Sequence, residues 1–307
     1  MNPRSSRNPA ASVLALLLKE AKRTGDDYQV LLNAYICERF LYRLGLSSMR
    51  DRFVLKGALL LRIWSHQPYR ATRDLDLLRR GNGTPEAIHA DIEAICRTGV
   101  DPDGIEFDPS SIRSESVRLE DEYTGMRFKI LVRCSSARVT FQLDIGVGDS
   151  VWPEPQLQGY PSLLDFPAPL ILAYPPESVV AEKFESIVVL GERNSRIKDY
   201  YDLYYLAGNF RFRKEVLVEA IQRTFAKRGT PYPEEDPIGL TPLYWENPTR
   251  LAQMRSFVRR AGLKVEMETP SMIANLLRPF LLPLLNDLRQ GLPRAGFWIP
   301  KGPWLDD

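Results

Sequence analysis

At 307 residues, with 44% hydrophobic and 26% charged side chains, the chain has the length and apolar content of an ordinary globular protein of one large or two moderate domains. Its formal net charge of only +2 excludes binding of nucleic acid through overall charge, so any such surface must come from local clustering of its 41 Lys and Arg. Three scattered cysteines (Cys37, Cys96, Cys134) and two histidines (His66, His89) lack metal-ligand spacing, which argues against zinc and suits a reducing compartment.

Met1 to Ala11 holds no apolar core of signal-peptide length, and Leu14 to Leu18 is too short to span a bilayer. A cytoplasmic protein with no membrane partner is expected. Residues 9–23 and 27–45 read as amphipathic helices, the second with Val30, Leu31, Tyr35, Phe40, Leu41 and Leu44 at helical spacing. Phe53 to Lys56 is a short strand ended by Gly57, Ala58 to Trp64 is helical, and Pro68 closes the connection to a strand over Arg73 to Arg79. Thr84-Pro85-Glu86 opens a helix to about Thr98, with Thr84 as cap. Strand alternation recurs over 105–107, 114–119, 126–134 and 139–145, the last delivering Asp144 just before Gly146-Val147-Gly148-Asp149.

Beyond 150 the character changes. Prolines crowd 153–176, Pro175-Pro176 opens a helix to about Leu190, and Gly191 stops it. Helices at about 195–207, 213–228, 248–262 and 270–290 follow, with a loop from Gly229 to Asn247. A strand-rich first half and a helical second half give an α+β class, with domains at 1–160 and 161–307.

The chemistry centres on Lys56-Gly57-Ala58, one short helix, then Arg70-Ala71-Thr72-Arg73-Asp74-Leu75-Asp76. On a strand, Asp74 and Asp76 point to one face while Leu75 and Leu77 point into a core. Two carboxylates so placed repel unless a cation lies between them, and Mg²⁺ takes oxygen ligands while leaving room for phosphate. The Gly57 turn ahead of the helix suits a phosphate cradle. Asp144 is a third acidic candidate for metal-assisted transfer, although Asp before Gly is also ordinary turn chemistry. Lys183 in Ala181-Glu182-Lys183-Phe184 reads either as a surface lysine or as a triphosphate clamp. Asp199 and Asp202 share a helix face, where one can orient Lys183.

These motifs, in order Lys-Gly-Ala-x-Leu, Arg-x-Thr-x-Asp-Leu-Asp, Asp-Ile-Gly-x-Gly-Asp, Ala-Glu-Lys and Arg-x-Lys-Asp-x-x-Asp-Leu, resemble the AbiEii/AbiGii nucleotidyltransferase toxins, a group that includes the MenT toxins. The likeness covers about residues 35–210, and more loosely the helices to about 290. It implies a polymerase-β-like nucleotidyltransferase core, a mixed sheet flanked by helices, with a helical C-terminal half. It further implies a toxin of a toxin–antitoxin system, partnered by an AbiEi-like or MenA-like antitoxin, that transfers NMP from an NTP to the 3′ end of tRNA and blocks aminoacylation. By the resemblance Asp74, Asp76 and Asp144 hold Mg²⁺, and Lys183 and Asp199 are the later motif residues. Lys56, Gly57, Ala58, Arg70, Thr72 and Lys183 then serve the nucleotide. Ala58 departs from the commoner Lys-Gly-Gly, and Thr72 keeps a hydroxyl where the family usually has Ser.

Basic residues accumulate in the helical half, with Arg255 and Arg259 as an i, i+4 pair extended by Arg260. Such a stripe can track RNA with Tyr244 and Trp245 as stacking platforms, or be a solvated helix face with Trp245 in the core. A protein or small-molecule acceptor, and a silenced binding module, are the competing readings. The absence of a Gly-rich loop ending in Lys-Ser/Thr sets a Walker-type phosphotransferase aside.

Overall fold

The computed structural model describes residues 8–65, 72, 74–81, 83–119, 123–260, 270–291 and 295–306. Arg70 lies outside the described residues, as do Arg73 and Pro68. The chain divides into two compact units, one of residues 1–148 and 156–173, the other of 149–155 and 174–307.

In the first unit, helix α1 (Pro9–Thr24) begins where the Asn8 side chain accepts from the Ala11 N–H and ends at Gly25, whose φ of 77° closes the last turn. Asp27 caps α2 (Tyr28–Leu46) in the same way. The chain then forms β1 (Phe53–Lys56), a tight turn over Gly57–Leu59, α3 (Leu60–Trp64), β2 (Asp74–Arg79) and α4 (Pro85–Cys96), the last capped by Thr84. Strands β3 (Glu106–Phe107), β4 (Arg113–Leu119), β5 (Tyr123–Cys134), β6 (Ala137–Val147), β7 (Gln156–Gly159) and β8 (Leu170–Ala173) follow.

The eight strands form one sheet in the order β3-β5-β6-β2-β1-β8-β7, with β4 also paired to β5. Pairs β2–β6 and β1–β8 are parallel and the others antiparallel, so the sheet is mixed. Its inner side carries Leu55, Leu75, Leu77, Phe128, Ile130, Leu143 and Ile145, all fully buried. Helix α2 covers strands of this sheet. It comes close because residue 45 is glycine: a Cβ there would stand 2.7 Å from the Leu170 carbonyl oxygen of β8. A buried ion pair fixes the same helix, Arg43 donating to both Asp103 oxygens at 2.7 and 3.1 Å and to the Ile105 carbonyl. Removing either partner of such a pair leaves an uncompensated buried charge.

The second unit contains α5 (Pro176–Leu190), α6 (Ile197–Asn209), β9 (Phe212–Arg213), α7 (Lys214–Arg228), α8 (Pro242–Glu246), α9 (Pro248–Arg260), α10 (Pro270–Gln290), β10 (Phe297–Trp298) and β11 (Trp304–Leu305). The last two strands and β9 form a small antiparallel sheet, in the order β11-β10-β9. Phe280 of α10 anchors this end against Phe212 and Trp298, with ring centroids 5.4 and 4.9 Å away. The mixed sheet flanked by helices and the helical second half match the α+β expectation.

Several features depart from the expected elements. Strand β8 lies inside the proline-rich stretch, and α8 lies inside the expected loop 229–247. Both are short, and β8 owes its existence to pairing with β1 and β7, which local periodicity does not encode. Tyr244 and Trp245 are not stacking platforms but core residues, 4% and 3% exposed. The Tyr244 hydroxyl donates to the Asn194 carbonyl at 2.5 Å, and Trp245 stands edge-on to Tyr200 at 4.8 Å.

Candidate active site

Strand β2 alternates as its sequence demands. Asp74 and Asp76 are half-buried on one face, and Leu75 and Leu77 are fully buried on the other. The pairing then assembles a row of charges across five strands. Lys56 of β1 is in register with Asp76, Asp76 with Asp144 of β6, Asp144 with Arg127 of β5, and Arg127 with Glu115 of β4. Register partners share a face, so these side chains emerge together, with neighbouring backbones about 4.8 Å apart. Asp74 continues the acidic edge, its partner in β6 being Gln142.

Two like charges directly opposite each other cost stability unless something of opposite sign joins them. Arg127 does this for Asp144, its Nε and Nη2 donating to the two carboxylate oxygens at 2.9 and 2.8 Å. The bidentate geometry is the strongest form of this contact, and Asp144 is only 5% exposed. Hydrogen bonding to Asp144 raises the Arg127 pKa further above its ordinary value, so the guanidinium stays charged. Among the described residues, no three His, Cys, Asp or Glu side chains are grouped to hold a metal ion. Asp144 is turned to Arg127. Asp74 and Asp76 are two hard oxygen donors on the same face of β2, a chemistry that fits a hard divalent cation such as Mg²⁺.

The turn before α3 belongs to the same place. Gly57 has a φ of 72°, and a Cβ on it would reach the Asp76 carboxylate, its Cγ only 2.9 Å away. Backbone and carboxylate therefore approach each other as no other residue would allow. Gly57→Ala is expected to cost about 1–2 kcal/mol of stability through its left-handed backbone and, by displacing Asp76, roughly a hundredfold in turnover. Unfolding curves and transfer rates measured side by side check this. Ala58 is buried in the turn, and the Thr72 hydroxyl donates to the Asp74 carbonyl at 3.4 Å, which ties the approach of the chain to the first residue of β2. Behind the carboxylates lies Cys37, whose thiol is pushed up to about 12 by burial, with Asp74 and Asp76 adding to the shift and Arg62 opposing it. Such a thiol is inert. Cys37, Cys96 and Cys134 are all buried and free.

Lys183 and Asp199 lie in the second unit and form a network of their own. The Lys183 ammonium pairs with Asp199 at 2.7 Å and Asp202 at 2.9 Å, while Arg196 meets the second Asp199 oxygen at 2.5 Å. Asp199 and Asp202 are 0% and 2% exposed, so this is no solvated surface lysine. Several basic residues of this unit are likewise paired with acids: Lys214 with Asp287 at 2.7 Å, Arg223 with Glu219 at 2.6 Å, and Arg228 with Glu185 at 2.7 Å. Arg255 and Arg259 are exposed on α9, and the side chain of Arg260 lies outside the described ones. No described helix is long and apolar enough to cross a membrane.

Sequence reasoning missed Arg127. Its one signal is position in a strand that alternates Arg127, Lys129 and Arg133 outward, which marks an exposed basic face but not the register that brings Arg127 to Asp144.

Comparison with known proteins bears on this arrangement. The sequence model of the nucleotidyl transferase AbiEii toxins, of type IV toxin–antitoxin systems, matches residues 39–275. No curated protein matches the chain. Two crystal structures from Helicobacter pylori are similar in shape. One is described as a candidate nucleotidyltransferase, 13% identical with a TM-score of 0.49, the alignment covering 86% of this chain and 99% of that one. The other, JHP933, is 13% identical with a TM-score of 0.45, covering 86% and 98%.

Proposed function

Because the chain belongs to the AbiEii nucleotidyltransferase toxin family of type IV toxin–antitoxin systems, we propose that it transfers NMP from an NTP to the 3′ end of tRNA, in a Mg²⁺-dependent reaction that blocks aminoacylation. The family implies a nucleotide substrate and an antitoxin partner; we take the partner to be AbiEi-like or MenA-like. The observation that carries the reading is the register of β1, β2 and β6, which places Lys56, Asp74, Asp76 and Asp144 on one face beside the Gly57 turn.

Asp74 and Asp76 would hold the metal. A divalent cation there supplies neutralising charge for the triphosphate and for the transition state. Lys56, with the backbone of the Gly57 turn and the Thr72 hydroxyl, serves the phosphate side of the site. Asp144 orients the acceptor hydroxyl. The acceptor 3′ oxygen forms a bond to the α-phosphorus, the bond from that phosphorus to the bridging oxygen of pyrophosphate breaks, and the hydroxyl proton leaves to solvent. Lys183 and Asp199 keep, within the same proposal, the nucleotide-binding and orienting roles that their motifs imply.

Arg127 stands in the way of Asp144 as a ligand, which makes a separable prediction. Removing a unit charge a few ångström from a cation site is worth at least about 1.4 kcal/mol at protein-like screening. Arg127→Ala should therefore tighten Mn²⁺ binding, measured by calorimetry without nucleotide, by roughly tenfold or more. Unchanged affinity would leave Arg127 a purely structural partner. The function itself is tested by incubating the protein with Mg²⁺, total tRNA and each α-phosphate-labelled NTP in turn. Label on tRNA supports the reading. NTP consumption with label on protein or a small molecule instead would replace the acceptor.

A further inference from the structure

The strands that deliver Asp144 carry a second pattern that the chemistry at the carboxylates does not use. Outward from the row of charges, Lys129 of β5 is in register with Arg113 of β4, and Arg133 of β5 with Arg138 of β6. Both are like-charge pairs directly opposite each other, an arrangement that weakens an antiparallel ladder. All four side chains are exposed. Along β6 the same face runs from Asp144 through Gln142 and Thr140 to Arg138, the last three each able to donate a hydrogen bond.

Among the described residues, three acids stand beside these four cations. Glu115 accepts from Lys129 at 3.3 Å, both about half exposed, Asp108 accepts from Arg133 at 3.0 Å, and Glu106 stands at the sheet edge opposite Arg133. The Lys129–Glu115 pair, exposed on both sides, contributes little.

We propose that the outward face of β4, β5 and β6 seats the sugar-phosphate backbone of a single-stranded RNA acceptor end and leads it to Asp144 and Asp74. The inference rests on the nucleotidyl-transfer reading of the same carboxylates, and it places the acceptor in the first unit rather than on the basic helix α9. The dimensions agree with such a track. Lys129 lies two strands from Asp74, on the order of 10 Å, and Arg138 lies six residues along β6 from Asp144, roughly 20 Å. An RNA 3′ end spans that distance in a few nucleotides, its phosphates meeting Arg113, Lys129, Arg133 and Arg138 while Gln142 and Thr140 meet sugar hydroxyls. A polyanion laid there adds counter-charge to both like-charge pairs, beside Glu115 and Asp108.

The test is fluorescence-anisotropy binding of a short labelled single-stranded RNA to the full chain, over a range of salt concentrations. The variants are Arg113→Gln/Lys129→Gln/Arg133→Gln/Arg138→Gln, Arg138→Gln alone, and Arg255→Gln/Arg259→Gln as a second basic surface. The quadruple variant should lose roughly tenfold or more in affinity, with a salt slope shallower by about 0.7 for each phosphate contact removed. Arg138→Gln, at the end of a strand, should show a smaller loss in the same direction. The α9 variant should bind as the parent does, and NTP affinity should be unchanged in all three. Parental affinity and slope in the quadruple variant would overturn the track while leaving the proposed reaction intact. Loss confined to the α9 variant would move the acceptor there. A parent chain that labels an acceptor yet binds no RNA would overturn both.

Discussion

Asp76→Asn is expected to lower nucleotidyl transfer by roughly a thousandfold or more, about 4 kcal/mol of transition-state stabilisation, while the protein stays folded with nearly its parental unfolding temperature. Both halves of this expectation follow from the place of Asp76. Asp76 faces Asp144 in register on the neighbouring strand, with Asp74 two residues away on the same face. Three carboxylates so placed repel, while Arg127 is set against Asp144 and Lys56 stands in register with Asp76. A neutral amide at 76 removes repulsion from Asp74 and Asp144 together with attraction to Lys56, so folding changes little, and it removes a cation ligand, so catalysis loses. Loss of activity with folding intact is the signature of a carboxylate held for chemistry. Transfer of labelled NMP and a thermal unfolding curve, taken on the same preparation, measure both. A folded variant with near-parental turnover would sink the assignment of Asp76. A variant that loses activity only by unfolding would make the carboxylate structural.

Lys183→Met should do the opposite and damage folding first. The lysine side chain is 14% exposed and joins Asp199 and Asp202, which are 0% and 2% exposed, so removing it takes a cation from two buried carboxylates, of which Asp199 keeps its pair with Arg196. Breaking a buried pair from one side costs on the order of 3–5 kcal/mol, a large part of a typical domain's stability. Adding Asp202→Asn to Lys183→Met should restore a good part of the loss, because one of the stranded charges is removed with it. The check is denaturant unfolding of both variants. Parental stability in Lys183→Met would show that the network is dispensable to the fold, leaving its lysine available for the nucleotide. A double variant that folds but fails to transfer NMP would assign Lys183 its chemical role separately from its structural one.

The acidic pair was legible because strand alternation is local. Asp74, Leu75, Asp76 and Leu77 carry their own in-and-out pattern, and the structure obeys it residue by residue. Capping residues were equally plain, Thr84 and Pro85 starting α4 where their chemistry requires. What could not be read is whatever depends on register between distant segments. Arg127 meets Asp144 because β5 and β6 pair with Arg127 opposite Asp144, and one residue of slip would turn Arg127 to the other face. Strand β8 is only Leu170–Ala173, between prolines, and becomes a strand by lying parallel to β1. Tyr244 and Trp245 sit in a run that reads as loop, yet α8 turns both rings onto Tyr200. Among the basic residues of the helical half, Lys214 and Arg228 are matched by acids of other helices, Asp287 and Glu185, which spacing along the chain does not reveal, whereas Arg223 pairs with Glu219 one turn away on its own helix.

The central claim is that the acceptor is the 3′ end of tRNA, reached from the face that carries Asp74, Asp76 and Asp144. The most direct measurement compares intact tRNA with tRNA whose terminal ribose has been oxidised by periodate, each incubated with Mg²⁺, the protein and α-phosphate-labelled NTP. The account predicts label on intact tRNA, none on oxidised tRNA, and none on either with Asp76→Asn. Equal labelling of intact and oxidised tRNA, or label on protein alone, would contradict it.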